Sequence, residues 1–314
     1  VIAVWLCIIG RLARIGQPSW VYQTERGVNR LKSFKLKLSG IAVMLGLATG
    51  FAGSAFAEAA KPLPIAAQMY TLRDAGTLEE QFAILNRAGV SNVETVDMQK
   101  ISADELKALL EKYKIKVISS HVPIDKLRGD LDVVIAEQKA VGNSVVTVPF
   151  LKPEQRPTDA NGWAAFGKEL GGYADKLAAQ GVGMAYHNHD FELVKFDNKT
   201  ALEILLDAAG PALQSELDVA WVARSGNDPA EFLSHLDGRL FAIHAKDNAP
   251  AGTAEAERGF ATLGTGVLDW KTILPAAEKA GAKWFILEHD KPINAEEVLT
   301  KGNAFLTEHL PANN

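Results

Sequence analysis

Cysteine is all but missing from this 314-residue chain. Its one example, Cys7, lies near the amino terminus, so the rest can form no disulfide, no thiolate zinc site and no cysteine nucleophile. Basic charge is also thin where most of the chain lies. Residues 1–57 hold seven Lys/Arg and a single acid, Glu25, which leaves 26 basic and 37 acidic residues over 58–314, a net charge of −11 against −5 for the whole chain. Such a body repels phosphate backbones and argues against a general nucleic-acid binder. Low apolar content, the mark of disorder, is absent: 47% hydrophobic and 23% charged residues describe a globular domain.

The first 57 residues read as a leader. Leu38 to Ala57 carry no charge, a basic run precedes them (Arg30, Lys32, Lys35, Lys37), and Ala55-Phe56-Ala57 ends them. Basic head, apolar middle and small-residue tail are the three parts of a cleavable secretory signal, here spanning 28–57 with the cut after Ala57. Glycines and serines dilute the segment, which favours cleavage over a permanent membrane anchor. Residues 1–27 fit no part of a signal and are expected to be upstream translation, with the start near Val28. The mature chain is then expected in the periplasm or outside the cell, without stable membrane insertion.

The remaining 257 residues alternate short β-rich runs with longer amphipathic ones. Expected strands are Ile65–Tyr70, Asn92–Val96, Lys116–His121, Val145–Phe150, Gly183–His189, Gln214–Val219, Leu240–Ala245 and Trp284–His289. Capping boxes open helices at Thr77-Leu78-Glu79-Glu80 and Ser102-Ala103-Asp104-Glu105. Further helices are expected over 125–141, 162–180, 200–209, 229–236, 269–280 and 295–308. Strand starts lie 24 to 44 residues apart, enough for a crossover helix each time. Eight such units predict an α/β fold, a single (β/α)8 or TIM barrel over 58–314, with 248–266 as a loop over its mouth.

Active groups of such a barrel sit at the carboxyl ends of the strands, facing inward. Five of the seven histidines, His121, His187, His189, His244 and His289, fall at expected strand ends. Strand alternation turns His187 and His189, Asp218, His244 with Lys246, and Glu288 inward. Strands five to eight thus end in His187, Asp218, His244 and Glu288, a donor set for one divalent ion such as manganese, cobalt, zinc or magnesium. A lone inward histidine is more often hydrogen-bonded core than ligand, and it is the convergence of four that points to a metal. His187 and His189 share a face, so alternation alone leaves either as the ligand. Around them Glu94, His121, Trp221, Arg224 and Trp270 are candidates for substrate binding, the tryptophans as flat faces for a sugar ring.

Gln68-Met69-Tyr70-Thr71-Leu72-Arg73, Tyr186-His187-Asn188-His189-Asp190-Phe191-Glu192, Glu216-Leu217-Asp218, His244-Ala245-Lys246-Asp247, Leu263-Gly264-Thr265-Gly266 and Leu287-Glu288-His289-Asp290 follow one another in an order that resembles the xylose-isomerase-like sugar phosphate isomerase/epimerase superfamily. The resemblance implies a barrel with one divalent metal, and it matches Asp218, His244 and Glu288 to the family's ligands. His187 stands where many epimerases have glutamate, and Trp221 stands where a D-x-x-H pattern has histidine. The fifth strand, of YHNH type, is similar to members that act as dehydratases and lyases on keto-sugars or keto-inositols. Barrels of the family also pair, which implies a homo-oligomer.

The function expected is metal-dependent isomerisation, epimerisation or elimination on a keto-sugar or 3-keto-glycoside, through loss of a proton next to a carbonyl. Glu288 or the free carboxylate Glu192 is the expected base, His189 or His121 the acid, and Lys246 the group holding a second oxygen. The alternatives are a metal-independent TIM-barrel glycoside hydrolase, with Glu192 and Glu288 as its carboxylate pair, and a non-catalytic periplasmic sugar-binding protein.

Overall fold

Short β-rich runs separated by capped helices become, in a computed structural model of the protein, eight parallel strands closed into one barrel. The structure describes residues 63–311; the expected leader, its cleavage site and the expected start near Val28 lie outside the described residues. The strands are β1 (Ile65–Gln68), β2 (Asn92–Val96), β3 (Lys116–His121), β4 (Val145–Val148), β5 (Gly183–His187), β6 (Leu213–Asp218), β7 (Leu240–Ala245) and β8 (Trp284–Leu287). Each pairs with its sequence neighbours, and β1 with β8 closes the ring. Among the described residues no helix is long and apolar enough to cross a membrane.

Local chemistry fixes the helix starts. Thr77, Ser102 and Thr200 each accept from the backbone of a glutamate three residues on, whose carboxylate returns the bond. The helix expected over 125–141 is two, Ile124–Gly129 and Leu131–Ala140, because Asp130 leaves the helical conformation and caps the second through Val133 N–H. Sequence reading also missed the short helix Val219–Arg224. Asp218 starts it by accepting from Ala220 and Trp221 N–H.

Five strands stop short of their expected ends, β6 by the single residue Val219, which opens the next helix. β4 ends before Pro149, which has no N–H for a ladder, and β1 passes into a single 3-10 turn, Met69–Leu72. β5 and β8 end at His187 and Leu287, so His189 and Glu288 stand on the first residues of loops. The expected loop over the mouth is pinned at its base by a two-stranded ribbon, Asp247–Asn248 with Phe260–Ala261.

Side chains inside the barrel lie in two levels. Ala66, Ile118, Ala185, Ala242 and Ile286 plug its lower part with apolar contacts, and the small residues suit the crowded axis. Above them the next inward positions are polar. A larger apolar shell, including Phe82, Leu106, Leu170, Leu205 and Ile273, packs between strands and helices.

Candidate active site and metal centre

Strand register assembles the polar level. Gln68 pairs with Glu94 across β1 and β2, His187 with Glu216 across β5 and β6, and Asp218 with His244 across β6 and β7. The ladder shifts register between Val93 and Glu94 and again between Ser215 and Glu216. Such irregularities re-aim a side chain, and here each one directly precedes a buried glutamate. Above opens a cavity of about 420 Å³ lined by Gln68, His121, His187, His189, His244, Lys246, Arg258, Glu288 and Asp290, with Tyr70, Val96, Pro149 and Phe150 at its rim.

Glu94 and Glu216 organise the cavity floor. Glu94 Oε1 accepts from Gln68 Nε2 at 2.6 Å and lies 2.9 Å from the Nε2 atoms of both His121 and His244; Ser119 donates to its other oxygen. Three imidazole nitrogens surround Glu216 Oε1, His121 Nε2 at 2.8 Å, His244 Nε2 at 3.1 Å and His187 Nδ1 at 3.3 Å. Both glutamates are fully buried. Burial pushes Glu94 up, but His121 and His244 outweigh it and hold the carboxyl well below its ordinary range. Burial and Glu94 likewise push Glu216 up, and His244 and His121 bring it down. Burial opposes charge on His121, yet the two carboxylates raise it to about 9. The same carboxylates raise His244 well above its ordinary value against burial. His187, buried and facing the charge of His244, is pushed well below and stays neutral.

Lys246 fills the other side. Its Nζ lies 2.7 Å from Asp218 Oδ2, 2.7 Å from Glu288 Oε2 and 2.6 Å from Asp290 Oδ2, and only the last contact has hydrogen-bond alignment. Burial disfavours its charge, but three carboxylates raise its pKa nonetheless. Glu288 is shifted up, first by burial, with Lys246 pulling the other way.

The donors at Asp218, His244 and Glu288 fit a divalent cation. Each residue offers one ligand atom, and the three lie within 4.8 Å of one another. Asp218 Oδ2, His244 Nδ1 and Glu288 Oε2 are buried without an aligned hydrogen bond. His244 is oriented as metal-binding imidazoles are, with Nε2 tied to carboxylates and Nδ1 left open. Two carboxylates and one imidazole suit zinc, manganese or cobalt. His187, expected beside them, stands in a second group with His121, Glu216 and His244.

The other expected site residues divide. His121 and His189 line the cavity, His189 held neutral by burial and Lys246 at about 3. Glu192 is fully buried and absent from the lining. It accepts from Tyr186 Oη at 2.8 Å and from His189 N–H at 2.8 Å, and burial raises it to about 8. Trp221 stands behind His189, ring centroids 5.5 Å apart, and does not line the cavity. Trp270 donates its indole N–H to Asp247 at 2.8 Å, away from the cavity. Arg224 grips the mouth loop, donating to Asn248 Oδ1 and Arg258 O and stacking on Phe260.

Sequence reading passed over Glu216 and Asp290 as site residues, though the alternation that selected Asp218 and Glu288 places each two residues away on the same face. Phe150 and Arg258 sit on loops and Tyr70 in a 3-10 turn, where no strand period applies, and Val96, the last residue of β2, is an apolar side chain with no chemical signal of its own.

Comparison with known proteins agrees with this architecture. Residues 82–309 match the family model described as xylose isomerase-like TIM barrel. The rhizopine catabolism protein MocC of Rhizobium meliloti is 23% identical over 257 residues, 71% of this chain and 78% of that protein. A sugar phosphate isomerase/epimerase from Parabacteroides distasonis superposes with a TM-score of 0.64 at 19% identity, covering 80% of this chain and 96% of its own. The IOLI protein, solved with a binding zinc atom, superposes at 0.62 and 17% identity over 78% of this chain and 97% of its own. With the matched segment running from the first helix to the last, the chain belongs to the xylose isomerase-like TIM barrel family.

Proposed function

We propose that the protein is a divalent-metal-dependent isomerase or lyase that removes a proton next to the carbonyl of a keto-sugar or 3-keto-glycoside. The observation that carries this reading is the convergence of Asp218, His244 and Glu288, each with a buried donor atom that has no aligned hydrogen bond, beside a cavity at the carboxyl ends of the strands that His244 and Glu288 line. An ion held there would supply a Lewis acid for the substrate's oxygens.

The chain's own groups supply the proton transfers. Glu288 lines the cavity and is the carboxylate placed to take the proton. The electron pair of the broken C–H bond moves to the carbonyl oxygen, and the Lys246 ammonium offsets the charge developing there. In an isomerase His121, an imidazolium on the cavity floor, gives a proton to the former carbonyl carbon, as the adjacent hydroxyl proton passes to the former carbonyl oxygen. In a lyase it gives the proton to a departing oxygen, as the enolate electron pair expels it. His189, neutral with Nδ1 unpartnered, is free to orient a hydroxyl. Glu192 acts through the backbone it holds and is a positioning residue.

A second reading has one observation in its favour. Lys246 already brings a cation to the three carboxylates, so the same proton transfer without a metal is the competing case. The hydrolase alternative loses support because Glu192 does not reach the cavity to pair with Glu288. With the leader expected over residues 28–57, the reading extends to a periplasmic or secreted enzyme.

Metal analysis of the purified protein and exchange of substrate hydrogens in heavy water test the proposal together. Deuterium should enter keto-sugars at the carbon next to the carbonyl, and His244→Ala and Asp218→Asn should abolish both metal content and exchange. Full exchange by chelator-treated, metal-free protein would select the lysine reading. Absence of exchange with every keto-sugar and keto-glycoside tried would overturn both.

A further inference from the structure

The cavity has two unlike halves. Charged and imidazole side chains come from the ends of β5, β7 and β8 and from the loop after β7: His187, His189, His244, Lys246, Arg258, Glu288 and Asp290. The rim over β1, β2 and β4 is Tyr70, Val96, Pro149 and Phe150, which carry no charge, while Gln68 and the His121 imidazolium from the ends of β1 and β3 line the cavity floor. Tyr70 is 40% exposed, Val96 36% and Phe150 43%. Among the described residues seven large apolar side chains are exposed, and these are three of them. Scattered exposure of single apolar groups is ordinary, but a cluster on one wall of a polar cavity marks a ligand face.

That wall is held in place before any ligand arrives. Phe150 stands nearly perpendicular to His189 and to Phe191, with centroids 5.3 and 5.9 Å away. Arg73 lies over the Tyr70 ring at 3.9 Å and donates to Tyr70 O and Asp290 O, tying the end of β1 to the segment after β8. Val96 is followed by three left-handed residues that are not glycine, Asp97, Gln99 and Lys100, with φ of 48, 55 and 64°. Such backbone is uncommon and costs free energy. Lys126 fixes it by binding both oxygens of Asp97 at 2.7 and 2.9 Å. A rigid apolar face loses little freedom when it binds.

We propose that this wall is an outer subsite for the second ring of a glycoside, so that the substrate is a two-ring sugar and not a free monosaccharide. The inference rests on the carbohydrate reading above and specifies its substrate class. One ring would sit among Lys246, His189 and Glu288, and the next would lay its C–H face on Phe150 and Tyr70. The cavity, about 420 Å³, falls in the ~300–1,000 Å³ range of sites that enclose drug-sized ligands, more than one sugar ring requires. Tyr70, Val96, Pro149 and Phe150 themselves carry no charge. The guanidinium groups beside them, Arg73 over Tyr70 at 3.9 Å and Arg156 at 5.1 Å from Phe150, do not line the cavity, which favours a neutral sugar on this wall.

Calorimetric binding to the full chain tests this with non-reducing probes, methyl glucoside for one ring and trehalose for two, each also as its 3-keto form on chelator-treated protein. Trehalose or its keto form should bind at least tenfold more tightly than the matching methyl glucoside. Phe150→Ala and Tyr70→Ala should each weaken the two-ring probe roughly three- to tenfold and leave the one-ring probe unchanged. Phe150→Tyr and Tyr70→Phe should restore it. Equal affinity for one and two rings, unaffected by these variants, would overturn the subsite and leave the carbohydrate reading intact. Octyl glucoside binding more tightly than trehalose, in a manner lost in Phe150→Ala, would overturn it in favour of an alkyl chain. Binding of no probe would overturn both readings.

Discussion

Lys246 Nζ stands 2.7 Å from Glu288 Oε2, and the same nitrogen touches Asp218 and Asp290, so one buried ammonium balances three carboxylates. Removing one partner from a buried ion pair typically costs about 3–5 kcal/mol, because the charge left behind stays desolvated. Lys246→Met should therefore lower stability by that order in chelator. A divalent ion bound by Asp218 and Glu288 would replace the lost charge, and at a thousandfold excess over its Kd it contributes about 4 kcal/mol. Thermal melts with and without manganese or zinc should show a larger metal-dependent gain in the variant than in the wild type. Equal gains would mean that Lys246 and the ion do not share those carboxylates.

Asp247 makes a separate, structural prediction. Its carboxylate accepts from the backbone N–H groups of Asn248, Gly264, Gly266 and Leu268 and from the indole of Trp270, five donors in all. It thereby fastens both ends of the loop that carries Arg258 to the cavity. Asp247→Asn turns an amide donor toward these donors, and each buried group left unpaired costs about 1–3 kcal/mol. The expected result is a loss of more than about 3 kcal/mol and faster proteolysis within residues 248–266. Wild-type protease resistance in the variant would refute it.

What could be read from the sequence follows from where periodicity holds. β-branched runs and capping boxes located all eight strands and the start at Thr77, because those signals are local. Alternation turned Asp218, His244 and Glu288 inward for the same reason. It could not separate His187 from Asp218 in depth, since that depends on register between strands, and the shift before Glu216 is invisible in one strand alone. Nor could it place Glu192, Trp221 and Arg224, which lie beyond strand ends where turn geometry decides direction. Glu192 follows a strand as a catalytic carboxylate does, but a 3-10 turn at Phe191–Leu193 folds it under Tyr186.

Glu192 should be visible in the pH dependence of stability. Burial raises its folded pKa to about 8, against roughly 4.3 in an unfolded chain. Folding therefore favours the protonated acid. Its contribution is fully present below the unfolded value and is lost as pH climbs through the folded one, by an upper bound on the order of 5 kcal/mol. Glu192→Gln cannot ionise, so its stability relative to wild type should rise between pH 5 and 8.5 in urea unfolding. A difference that does not change with pH would show that Glu192 ionises as freely in the fold as in the unfolded chain.

His187 and His244 separate the two groups of possible ligands. His244 belongs to both, with Nδ1 open toward Asp218 at 3.9 Å and Nε2 held by Glu94 and Glu216. His187 faces Glu216 and has no place in the group with Asp218 and Glu288. His187→Asn should accordingly keep its metal content, while His244→Asn should lose it, a first ligand being worth far more than a neighbour. Cobalt substitution gives a readout independent of turnover, since visible absorption reports the ligand set. An unchanged cobalt spectrum in His187→Asn is expected, and a spectrum that shifts or vanishes would place the ion lower in the barrel, among His121, His187 and Glu216, with the two carboxylates above left to Lys246.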